Sequence, residues 1–140
     1  IGSFQSLQHA AADVRIEQAL ARAACQGALA RHEADALGAA NGAVRAANGA
    51  VSAATGAAIA AAKARASDAA LLAGRFGVQA HGAIGFTTEA DVGWYLKAAL
   101  RLAASLGNGS QQRRRYGVLT RAAQADAQVD AQTDAPGVTR

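Results

Sequence analysis

Apolar positions fall along this chain in long runs at spacings of three and four, the mark of helices that bury one face. In the first run Phe4, Leu7, Ala11, Val14, Ala21, Cys25 and Ala28 share a stripe interrupted by Gln18, while Asp13, Arg15, Glu17 and Arg22 take other faces. The pattern predicts one helix from Ser3 to His32, about 40 to 45 Å long. Ser3 is its expected N-cap, and the stripe places Cys25 on the buried side. From residue 39 to 66 the sequence repeats with a period of seven: AANGAVR, AANGAVS, AATGAAI, AAAKARA. A heptad suits a helix lying on a neighbour, but each Gly weakens a helix by about 1 kcal/mol relative to Ala. The expectation is a loop-like first half and a firm helix from about Ser52, continuing through Lys63, Leu71 and Phe76 to about Ala80. The repeat itself reads as low-complexity drift.

Gly82-Ala83-Ile84-Gly85-Phe86 breaks the pattern, because its two glycines permit backbone conformations closed to other residues. Thr88 with Asp91 three positions later forms an acidic variant of a capping box, and Glu89 beside it suits the positive end of a helix. The next stripe is the cleanest: Val92, Tyr95, Leu96, Ala99, Leu102, Ala103 and Leu106 share a face, with Lys97, Arg101 and Ser105 elsewhere. Gly107-Asn108-Gly109 ends it. Ser110 to about Ala123 predicts a last amphipathic helix, and Gln124 to Arg140, polar and holding the single Pro, an unstructured tail. The expected fold is all-α, an antiparallel up-down helical bundle over residues 1–123 with a disordered tail over 124–140.

Composition supports that class. Of 140 residues 51% are hydrophobic, only 4% are aromatic, and alanine dominates, so the helices must meet through small side chains. The formal charge of +4 would favour nucleic acid only if the basic residues shared a face with stacking aromatics. They are spread along the chain apart from Arg113-Arg114-Arg115, so no nucleic-acid partner is expected. One cysteine excludes an internal disulfide and a Cys-based zinc site, which fits a reducing cytoplasm. No apolar run is long enough to span a membrane. His9, His32 and His81 lack ligand-spaced partners, so no metal is expected. No Ser/His/acid or Cys/His arrangement is present. The chain opens on Ile1-Gly2 and contains no Met, so it is expected to be a piece of a longer protein.

One segment is more specific than the rest. Gln79-Ala80-His81-Gly82-Ala83-Ile84-Gly85-Phe86-Thr87-Thr88-Glu89 resembles the Gln-x-x-Gly-Gly-x-Gly-Phe/Tyr-x-x-Glu signature of acyl-CoA dehydrogenases. The opening Ile1-Gly2-Ser3-Phe4-Gln5, with His9, Ala12 and Asp13, is similar to that family's entry into a long helix. Asp91 through Gly107 resembles the helix that follows the signature in bacterial members. These matches come in the family's order and cover both ends of residues 1–123.

The resemblance implies the C-terminal helical domain of a flavin-dependent enzyme that desaturates acyl-CoA thioesters, as in lipid or steroid side-chain catabolism. In that family a Glu removes the α-proton while the β-hydride passes to the flavin. The glycine loop of one subunit reaches the adenosine-diphosphate end of the FAD held by its neighbour, within a homo- or hetero-oligomer. Carried over, the cofactor contacts are Gln79, His81, Gly82, Ala83 and Gly85. A Gln amide can bond a base or ribose, and side-chain-free glycines let backbone N–H groups approach a pyrophosphate. Ala83 replaces the family's second glycine, which should slightly restrict that approach. The turn aligned with the family's Glu-Gly-Thr-x-Gln base segment is Leu106-Gly107-Asn108-Gly109-Ser110, without a carboxylate, so no catalytic residue is assigned and the chain alone is expected to be inactive. The rival from another class is a non-enzymatic, alanine-rich self-association module.

Overall fold

The computed structural model describes residues 2–40 and 51–133, which among themselves form helices and turns and no strand. The helices are α1 (Gln5–Ala40), α2 (Ala53–Ala80), α3 (Val92–Ala104) and α4 (Gly109–Thr133), with a 3-10 turn over Gly82–Phe86 between α2 and α3. The all-α bundle expected from the pattern is the fold observed.

Helix α2 is the axis on which the other three pack. The Ser52 N–H donates to Asp35 Oδ2 at 3.0 Å, and Arg65 pairs with Glu17 at 3.2 Å, so α1 descends as α2 climbs. Asp68 pairs with Arg113 at 2.7 Å, and Gly56 abuts Leu119, so α4 is antiparallel to α2 along its first half. Gly77 against Val92 and Gly74 against Leu96 place α3, also antiparallel, along the second half.

A helix enclosed on three sides needs thin side chains, and the sequence of α2 supplies them. Its buried residues include Ala57, Ala60, Ala62, Ala64 and Ala69, and the largest fully buried side chain is Thr55. Two glycines let α3 come closest. A Cβ at Gly77 would lie 2.7 Å from Val92 Cγ2, and one at Gly74 would lie 3.2 Å from the Leu96 Cα. Packing there offsets the roughly 1 kcal/mol that each glycine costs a helix. The start of α2 is as expected: Ser52 Oγ accepts the Thr55 N–H at 3.1 Å. Lys63 fastens the end of α3, donating to the Leu102 carbonyl at 2.7 Å and to Ser67 Oγ at 3.0 Å.

Several expectations need correction. Helix α1 runs to Ala40, and its first bonds are accepted by the Phe4 carbonyl, so Ser3 lies in a turn before it and is not its cap. The face turned inward is Leu7, Ala10, Val14, Glu17, Ala21, Ala24, Ala28, Asp35 and Gly38; Cys25 is exposed. That stripe steps by three and four from Leu7 to Ala28 and resumes at Asp35 and Gly38, with Arg31 between them exposed, and it tolerates two carboxylates because Arg65 and Ser52 supply a partner for each. On α3 only Val92, Leu96, Ala99 and Ala103 of the expected face turn inward, while Tyr95, Leu102 and Leu106 are 73%, 67% and 90% exposed. A helix resting on one neighbour has a narrow contact stripe. The capping box is not formed either: Asp91 precedes α3 without a side-chain cap bond, and Glu89 lies outside the first turn. Helix α4 continues ten residues past 123 to Thr133, with 124–132 exposed. Alanines between those polar residues favour helix although they bury nothing. The first half of the heptad repeat (41–50) and residues 134–140 lie outside the described residues.

Asp35 links pH to the α1–α2 junction. The Ser52 backbone N–H, then the Ser52 hydroxyl, hold its carboxyl below the ordinary value. A depressed folded pKa gives stability that is present above the unfolded value and lost as pH falls through the folded one. Thermal melting should therefore show the wild type losing stability below about pH 4, a loss that Asp35→Asn lacks. Parallel curves for the two proteins would exclude this linkage.

Candidate functional site

The turn after α2 is built from four local devices. The His81 N–H bonds the Gln79 and Gly77 carbonyls as the helix closes. Gly82 then takes a φ of +61°, a conformation that L side chains rarely adopt, and the chain reverses. Gly85 is buried against the end of α2, where a Cβ would collide with the Val78 carbonyl oxygen and meet the His81 Cβ at 3.1 Å. Thr87, not Thr88, closes the turn: its hydroxyl donates to the Ile84 carbonyl at 2.8 Å and accepts the Glu89 N–H at 3.3 Å.

The five residues singled out in the sequence are thus brought together, but in two roles. Gln79, His81, Gly82 and Ala83 are exposed, whereas Gly85 lies beneath them. Nothing stands within 4 Å of the position a Gly82 Cβ would take, so a ligand can approach the backbone there. Ala83 needs no glycine, since Leu106 is the one residue other than glycine with positive φ among the described residues. Ile84, Phe86, Trp94 and Tyr95 around the turn are more than half exposed, and the Lys97 ammonium lies 5.1 Å from the Trp94 ring centroid.

Elsewhere the side chains offer little chemistry. A recess of about 560 Å³ between α1, α2 and α4 is floored by Ala54, Ala57, Ala58 and Ala61, with Tyr116 and Arg31 at its edge. A smaller apolar recess of about 230 Å³, bordered by Leu7, Phe76 and Ala80, lies near the turn. No cluster of three or more His, Cys, Asp or Glu able to hold a metal occurs among the described residues. No helix among them is long and apolar enough to cross a membrane. At the segment aligned with the family's base, Leu106 has φ +56° and Gln112, buried, donates to its carbonyl at 2.6 Å. Sequence reasoning missed Gly74 and Gly77, which fix where α3 and hence the turn lie. Their three-residue spacing inside a long helix was the available signal.

The described residues form an alanine-cored helical bundle with an exposed glycine turn between α2 and α3. The chain belongs to the acyl-CoA dehydrogenase family, matching the model of its C-terminal domain over residues 1–122; FAD is the usual cofactor of that family. No curated protein and no solved structure matches it.

Proposed function

We propose that this chain acts as the C-terminal helical domain of a flavin-dependent acyl-CoA dehydrogenase, in the α,β-dehydrogenation of acyl-CoA thioesters during cytoplasmic lipid or steroid side-chain catabolism. It contributes to an oligomer surface and reaches the adenosine-diphosphate end of a neighbouring subunit's FAD. The flavin, when bound, takes up the hydride. The residues here orient it: Gln79 through its amide, Gly82 and Ala83 through their open backbone, and Gly85 by holding the turn in place. The observation that carries this reading is the exposed turn with positive φ at Gly82, formed where the family's signature falls. With no carboxylate in the Leu106–Ser110 segment, the domain's part is cofactor and interface support, a part that a non-catalytic subunit of a heteromeric enzyme could also play. Nucleic acid and membrane are not partners in this reading.

The test is Gln79→Ala in the flavoprotein that carries this domain. One net hydrogen bond is worth roughly 0.5 to 1.5 kcal/mol, so FAD should bind about threefold to tenfold more weakly by fluorescence titration. Far-UV circular dichroism should be unchanged. Unaltered affinity in the folded variant would reduce the motif to a helix stop and favour a self-association module, which the exposed Phe86, Leu102 and Leu106 also suit.

A further inference from the structure

His81 is held in one tautomer. Its Nδ1 lies 2.7 Å from the Gly77 carbonyl oxygen, which can only accept, so Nδ1 carries the hydrogen. The same carbonyl also accepts the His81 backbone N–H at 3.2 Å, so the ring bond uses its second lone pair. In the neutral ring Nε2 is therefore an acceptor, and none of the hydrogen bonds or ion pairs among the described residues engages it. The side chain is exposed and stands next to Gly82, beside the open approach to the backbone.

We infer that His81 recognises a hydrogen-bond donor on the adenosine end of the cofactor through Nε2, and so helps set which nucleotide this turn accepts. The inference rests on the cross-subunit FAD reading and assigns one chemistry within it. An ionised phosphate oxygen offers only lone pairs and would repel an Nε2 lone pair. A ribose hydroxyl or the adenine amino group can donate. The labour is then divided: backbone at Gly82 toward the pyrophosphate, His81 toward the nucleoside.

The experiment compares wild type with His81→Phe, which keeps an aromatic ring of similar breadth but has no nitrogen, in the flavoprotein that carries this domain. FAD is titrated beside two probes, FAD with a 2′,3′-dideoxyadenosine end and FAD dimethylated on the adenine amino nitrogen. Wild type should prefer FAD over one probe by about threefold to tenfold, the range of one net hydrogen bond, and that probe identifies the donor. The preference should vanish in His81→Phe. In mildly alkaline buffer, ¹⁵N spectra of the FAD-bound wild type should show Nδ1 protonated and Nε2 bare. A wild type indifferent to both probes, a preference surviving in His81→Phe, or a proton on Nε2 in the bound state would overturn the inference. If Gln79→Ala still weakens FAD in those cases, the broader reading stands and only the role of His81 falls. If Gln79→Ala has no effect, both fall.

Discussion

Gly74→Leu is expected to loosen α3 from the bundle and to destabilise the fold by about 1 to 3 kcal/mol, the usual cost of overpacking a filled core. The position offers no room: even a Cβ would lie 3.2 Å from the Leu96 Cα, which is backbone and cannot rotate away. Relief requires α3 to move off α2, which also lengthens the 2.7 Å bond from Lys63 to the Leu102 carbonyl. Gly38→Ala on α1 is the matched control, since nothing lies within 4 Å of its added Cβ. It should stabilise by up to about 1 kcal/mol through helix propensity alone. Urea denaturation should move the two midpoints in opposite directions. Equal midpoints for Gly74→Leu and wild type would mean that α3 does not lie this close to α2.

Gly85→Ala should have the largest effect on the proposed cofactor contact although its side chain never faces the ligand. The added methyl runs into the Val78 carbonyl oxygen, again backbone, and into the His81 Cβ. The 3-10 turn must then lift away from α2, moving Gly82, Ala83 and the His81 ring together. Losing two such contacts at once, each worth roughly 0.5 to 1.5 kcal/mol, predicts about a tenfold to hundredfold loss of FAD affinity. Far-UV circular dichroism should barely change, because only a five-residue turn is involved. A smaller loss than that of Gln79→Ala would show that the turn tolerates the methyl and that Gly85 does not brace it.

How much of this could be read in the sequence depended on whether a signal was local. The limits of α2 near Ser52 and Ala80 were legible because repeated glycines before it and a glycine break after it act locally on the chain, whereas the Ser52 cap emerged only in the structure. The grouping of Gln79, His81, Gly82, Ala83 and Gly85 came from the resemblance to the family's signature. The buried position of Gly85 was not, since it depends on where the reversed chain lands on Val78. Faces were harder. Where alanine recurs on every side of a helix, hydrophobicity scarcely distinguishes inside from outside, so Cys25 was placed inward while Glu17 and Asp35 were left out of the inner stripe. Those two carboxylates face α2 because Arg65 and Ser52 wait there, a fact of tertiary pairing that no stripe of one helix contains.

The methyl-lined surface of α2 has one more consequence. Bulky side chains normally lock neighbouring helices in place, because a shift of one turn drives each knob into a ridge. A row of alanines presents nearly the same corrugation after such a shift, so apolar packing alone leaves the register of α1 and α4 on α2 poorly specified. What distinguishes the native alignment is a few polar pins, namely Asp35 on Ser52, Glu17 on Arg65 and Asp68 on Arg113, together with the seat of Leu119 on Gly56. Exposed ion pairs of this kind add little to the depth of the energy minimum. Their contribution is to uniqueness: they select one alignment among several of almost equal density, and thereby hold the 79–85 turn at one height along the bundle.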